Sequence, residues 1–142
     1  MKVFVKNGTI VSETGQYQGD LCIENGVISQ IGTHLEPASE EEAQVIDAAG
    51  KYVLPGGVDV HTHMDLLAGA SRAVDDFYDG TVAAACGGTT SIVDHMAFGP
   101  AGCPLHHQLE EYHGLADHKA VIDYGFHGTC QHVNEEILDE LE

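Results

Sequence analysis

The chain has 142 residues, about one domain's worth, of which 43% are hydrophobic, 23 acidic and 5 basic, for a net charge of −18. So acidic a chain repels phosphate backbones and anionic bilayers, which excludes nucleic acid and membranes as partners, and it is too apolar for a disordered acidic tail. No apolar run approaches about 18 residues and no signal-like apolar core follows the N-terminus, so a cytoplasmic protein is expected. The cysteines Cys22, Cys86, Cys103 and Cys130 form no C-x-x-C pair and are expected as free thiols.

In chain order, residues 1–52 read as a small all-β module. Val3 and Val5 alternate with Phe4 and Lys6, and Asn7-Gly8 signals a turn. Asp20 to Glu24, Asn25-Gly26 and Val27 to Ile31 read as a hairpin. Glu40-Glu41-Glu42 falls in a solvated acidic stretch, and Val45-Ile46 in a last strand.

The period then changes. Tyr52 to Val60 reads as one apolar strand interrupted by Pro55-Gly56-Gly57. Asp75 to Cys86 reads as a helix with Phe77, Thr81, Ala84 and Ala85 on one face, ended by Gly87-Gly88. A strand follows from Thr89. Pro104 to His118 reads as a helix with Pro104 in its first turn and Leu105, Leu109, Tyr112 and Leu115/Ala116 on one face. Ala120 to Phe126 is a strand, and Asn134 caps a final helix. The order βαβαβα, with strands starting near 53, 89 and 120, predicts parallel strands with right-handed crossovers. The length excludes a complete (β/α)8 barrel, which takes roughly 200–250 residues. Three such units leave sheet edges and a face uncovered, so the chain is expected to be the N-terminal piece of a longer protein, with a small complete α/β domain as the alternative.

The ten histidines focus attention on His61-Thr62-His63 at the end of the first parallel strand. Residues i and i+2 of a strand point the same way, so Asp59, His61 and His63 are expected on one face. Two neutral imidazoles so placed can share one metal ion. Asp59 is the candidate supporting acid, accepting a ring N–H or ordering the strand end. Asp94, ending the second strand, is expected as a buried hydrogen-bonding group. His95 and His127 end the second and third strands, where hydrogen-bonded structural histidines are expected. Met64, Leu66 and Leu67, with His95, are candidate linings of a substrate pocket, with Asp65 expected to turn outward.

Pro55-Gly56-Gly57-Val58-Asp59-Val60-His61-Thr62-His63 resembles the first-strand signature of the amidohydrolase superfamily. Gly87-Gly88-Thr89-Thr90 and Lys119 to His127 (KAVIDYGFH) resemble the hydantoinase/dihydropyrimidinase family within it. Asp94 to Pro100 (DHMAFGP) resembles the phenylhydantoin-cleaving group of that family.

The resemblance implies an α/β chain with a β-sandwich portion at 1–52 and the first three β/α units of a TIM-type (β/α)8 barrel at 53–142. It implies two divalent metals, zinc as the rule, bridged by a carboxylated lysine absent from this chain. His61 and His63 match the first pair of metal ligands. The proton-shuttling aspartate is expected beyond Glu142, so no catalytic residue is assigned here. The implied reaction is hydrolysis of the ring amide of 5-monosubstituted aryl hydantoins, cyclic ureides, to N-carbamoyl amino acids by a homotetramer. The 142 residues alone are expected to be inactive. A dihydropyrimidinase, an inactive truncated remnant and a non-catalytic family member stay open as alternatives; the retained His61-Thr62-His63 argues against the last.

Overall fold

A computed structural model describes residues 2–39 and 43–141; the Glu40-Glu41-Glu42 run lies outside them. The chain divides into two compact units, Met1–Pro55 and Gly56–Glu142.

The first unit is built on one sheet. β1 (Lys2–Ser12) pairs antiparallel with β2 (Gly15–Glu24), and β2 antiparallel with β3 (Val27–Gly32). β4 (Ala43–Asp47) and β5 (Tyr52–Val53) run parallel to β1. The β2–β3 hairpin turns at Asn25 and Gly26, with φ of 54° and 79°, the left-handed pair that matches strand twist. Asn7-Gly8 is not a turn. β1 runs straight through it, and the ladder to β2 slips by one residue between Val5 and Gly8, with Asn7 at φ 63°. A β-bulge absorbs the residue that the turn signal suggested. Asp20 holds it: Oδ1 accepts the Asn7 N–H at 2.8 Å and Oδ2 the Leu35 N–H at 2.9 Å. The Asn7 hydrogen bond, above all, holds the Asp20 carboxyl below its ordinary value. Phe4, Ile10, Leu21, Cys22 and Ala48 are buried in this unit.

The run from Tyr52 to Val60 is two strands. β5 belongs to the first sheet, whereas β6 (Gly57–Thr62) opens the second. Pro55 has no N–H to continue a ladder, and Gly57 donates instead to the Gly88 carbonyl at 2.9 Å. Gly56 fits only without a side chain, since a Cβ there would stand 2.0 Å from Thr90 Oγ1.

In the second unit, β6, β9 (Thr89–His95) and β10 (Asp123–His127) form a parallel sheet in the order β10-β9-β6. Between β6 and β9 come a short hairpin, β7 (Leu67–Ala68) and β8 (Ser71–Arg72), and helix α1 (Phe77–Cys86). α2 (Leu105–Ala116) connects β9 to β10, and α3 (Glu135–Glu140) follows β10. Asp76 caps α1, accepting the N–H groups of Tyr78 and Asp79. Its buried face is Phe77, Gly80 and Thr81; Ala84 is only half-buried and Ala85 exposed. Pro104 is the N-cap of α2, one residue before the helical turn expected to contain it. The buried stripe of α2 is Gln108, Tyr112 and Ala116, with Leu109 at the exposed margin. Gln108, and not Leu109, faces inward, where its amide donates to the Ala97 carbonyl. Phe77, Ile92, Met96, Tyr112 and Ala116 form the core between helices and sheet.

Candidate metal centre

His61 and His63 stand at the C-terminal end of β6. Asp59 pairs with Ile92 and Thr62 with Asp94, so β6 has one residue more than β9 over this stretch. This bulge breaks the strict alternation that would set Asp59, His61 and His63 on one face, and His63 lies just past the strand. Asp59 Oδ1 accepts the backbone N–H of His61 at 3.1 Å. Of the two roles open to Asp59, this bond serves the ordering of the strand end. The rings nevertheless converge, with Nε2 of His61 and Nε2 of His63 3.2 Å apart.

That separation suits two ligands of one ion. With metal–nitrogen bonds of about 2.0–2.1 Å, the edge of a tetrahedron is about 3.3–3.4 Å. Zinc is compatible with this donor set, as are other metals that take imidazole. Among the described residues no group of three His, Cys, Asp or Glu side chains is placed to hold an ion, so the pair calls for further donors.

The remaining candidates surround the pair. His95 and His127 end β9 and β10 in register. The His95 ring lies between those of His61 and His127, with centroids at 4.1 and 4.5 Å, and 5.4 Å from His63. Burial, and then the His61 imidazole, lower the pKa of His95 and favour its neutral form. His127 Nε2 donates to the Val60 carbonyl at 3.0 Å. Asp94 is fully buried. Its Oδ2 accepts from Thr62 Oγ1 at 2.7 Å and from the Met64 N–H at 2.8 Å, while Oδ1 has no hydrogen-bond partner among the described residues. Burial pushes this carboxyl above its ordinary value.

Leu66, Leu67, His63 and His95 line one cavity, together with Phe98 and Thr129. Met64 does not join them. Its side chain packs on the Phe77 core, in room left by Gly80, where a Cβ would stand 2.2 Å from the Met64 sulfur. Asp65 does not turn outward either. It is buried, and Arg72 across the β7–β8 hairpin lies 3.5 Å from its Oδ1. Reading the sequence missed Phe98 and Thr129 as lining residues. Phe98 falls within the Asp94–Pro100 run, while Thr129 carries no signal beyond following the third strand.

A model of the amidohydrolase family matches residues 44–119, just over half of the chain. D-phenylhydantoinase of Escherichia coli (strain K12 / DH10B) is 58% identical over 141 residues, which are 99% of this chain and 30% of that protein. A crystal structure of a D-hydantoinase superposes with a TM-score of 0.92 at 47% identity, covering 99% of this chain and 30% of that one. A dihydropyrimidinase from Brevibacillus agri NCHU1002 superposes with a TM-score of 0.92 at 45% identity, covering 100% and 30%. The chain thus spans about 30% of the length of the relatives it matches. On the family match over residues 44–119 and this whole-chain likeness to hydantoinases, the chain belongs to the amidohydrolase family.

Proposed function

We propose that this chain supplies the N-terminal β-module and the first metal-binding strand of a metal-dependent cyclic amidase. The enzyme hydrolyses the ring amide of 5-monosubstituted aryl hydantoins to N-carbamoyl amino acids. The observation that carries this reading is the convergence of the His61 and His63 Nε2 atoms, 3.2 Å apart, at the C-terminal end of a parallel sheet. In barrel enzymes that end bears the active site. In this reading the first unit, which keeps Val53 in its sheet and so ends at Pro55 and not at the expected residue 52, belongs to a β-sandwich. The second unit, from Gly56, is the first three β/α units of a (β/α)8 barrel. The likeness to D-hydantoinase at a TM-score of 0.92 supports it.

His61 and His63 would hold one of two divalent ions, zinc in the family resemblance, through neutral Nε2. An ion held there would supply Lewis acidity and a water activated near neutral pH. Asp59 fixes the backbone at His61. The carboxylated lysine and the proton-shuttling aspartate belong to segments outside these residues. Leu66, Leu67 and Phe98 give the cavity beside His63 an apolar wall, suited to an uncharged ring substituent. The 58% identity to D-phenylhydantoinase favours an aromatic one. The resemblance further suggests a homotetramer in the cytoplasm; no helix among the described residues is long and apolar enough to cross a membrane.

The test compares kcat/KM for 5-phenylhydantoin and dihydrouracil on the full translated product of the gene, loaded with zinc. A preference for phenylhydantoin supports the proposal. One apolar group confers only roughly 1–3 kcal/mol, so the preference is one of degree. A preference for dihydrouracil of about tenfold or more, about 1.4 kcal/mol in the opposite direction, would make it a dihydropyrimidinase. No turnover of either would make it an inactive truncated remnant or a non-catalytic member.

A further inference from the structure

We propose that Asp94 is a positioning residue for the metal-binding pair, tying the residues on both sides of His63, the Thr62 hydroxyl and the Met64 backbone N–H, to a single carboxylate oxygen. The inference rests on the metal-binding reading of His61 and His63. β6 ends at Thr62, so His63 stands beyond the regular sheet. Its two sequence neighbours both donate to Asp94 Oδ2, Thr62 through Oγ1 at 2.7 Å and Met64 through its backbone N–H at 2.8 Å. With both flanking residues bonded to the end of β9, the segment that carries the His63 side chain is restrained.

The acceptor is itself rigid. Asp94 is fully buried and lies in register with Thr62 across the ladder. Its other oxygen has no partner among the described residues, so the hydrogen bonds this carboxylate makes are spent on the segment around His63. Leaving a carboxylate oxygen buried without a partner is costly. Retaining one here is understandable where its other oxygen sets the geometry of a site. Groups that orient metal ligands without touching the metal contribute about 10–100-fold to metal affinity.

The experiment measures Zn2+ affinity by competition with a chelator, on the full translated product, with a thermal melt of each variant. Thr62→Val keeps the side-chain shape and removes one donor, whereas Thr62→Ser keeps the hydroxyl. Asp94→Ala removes the acceptor. We expect Thr62→Val and Asp94→Ala each to weaken Zn2+ binding about 10–100-fold. Thr62→Ser should bind like the wild type, and the double variant Thr62→Val/Asp94→Ala should be no weaker than Asp94→Ala, because both changes break one clamp. Wild-type affinity in Thr62→Val, or in a folded Asp94→Ala, overturns the proposal, as do fully additive losses. Should Asp94→Ala not fold, the Thr62 pair decides. His63→Ala in the same assay separates the two readings. If it loses Zn2+ while the clamp variants do not, only the clamp is wrong; if it binds normally, the metal reading and the clamp fall together.

Discussion

His127, the last residue of β10, donates from Nε2 to the carbonyl of Val60 on β6 at 3.0 Å, although β9 lies between the two strands. Val60 sits where the ladder of β6 on β9 slips by a residue, next to His61. A ring from the third strand thereby braces the bulge that presents the first candidate metal ligand. His127→Ala should destabilise the second unit by about 0.5–1.5 kcal/mol, the net worth of one hydrogen bond, and should weaken metal binding. Denaturant unfolding and chelator competition check this; unchanged values in both would show that the contact is incidental.

Asp20 links stability to pH. Its carboxyl is held below the ordinary value of 3.8, first by the Asn7 N–H. A lowered folded pKa means the stabilisation is complete above about 4 and is lost as the pH falls through the folded value. Asp20→Ala should cost about 1.5–3 kcal/mol at neutral pH. The gap between variant and wild type should narrow in acid. Unfolding of both proteins between pH 7 and pH 2 measures it, and a gap independent of pH would contradict the assignment.

Gly56 sets how closely the start of β6 approaches β9. A methyl group there would meet the Thr90 side chain, 2.0 Å from Oγ1. Gly56→Ala should cost about 1–3 kcal/mol by overpacking, and Gly56→Ala/Thr90→Gly should recover most of that. Thermal melts of the two variants test the contact; equal losses in both would mean that the glycine serves another purpose.

Leu66 and Leu67 wall the cavity beside His63 and His95. Replacing both with Ser should lower kcat/KM for 5-phenylhydantoin by an amount corresponding to about 1–3 kcal/mol and leave that for unsubstituted hydantoin nearly unchanged. Equal losses on the two substrates would mean that the loop supports the fold and not the ring substituent.

Much of this was legible because period and residue type agree with the final geometry. Asn25-Gly26 demands left-handed backbone and receives it. Asn134 accepts the Ile137 N–H at the start of α3, as an N-cap should. The His61-Thr62-His63 spacing at a strand end brought two rings together, although through a bulge and not through the plain alternation that suggested it. A bulge leaves no trace in hydrophobic pattern, which is also why Asn7-Gly8 read as a turn. The inner half of the loop was illegible for a different reason. Whether Met64 or Leu66 faces the cavity depends on space left by Gly80, a residue of another element. Asp65 could look solvent-bound only while Arg72 was not known to be its partner.

The proposed function stands on His61 and His63 holding a metal ion together in the full translated product. Metal analysis of the purified protein and of His61→Ala and His63→Ala, each with a check that the fold is retained, tests it most directly. Either variant should carry at least one equivalent of divalent metal fewer than the wild type. Full metal content in a folded His63→Ala protein would contradict it.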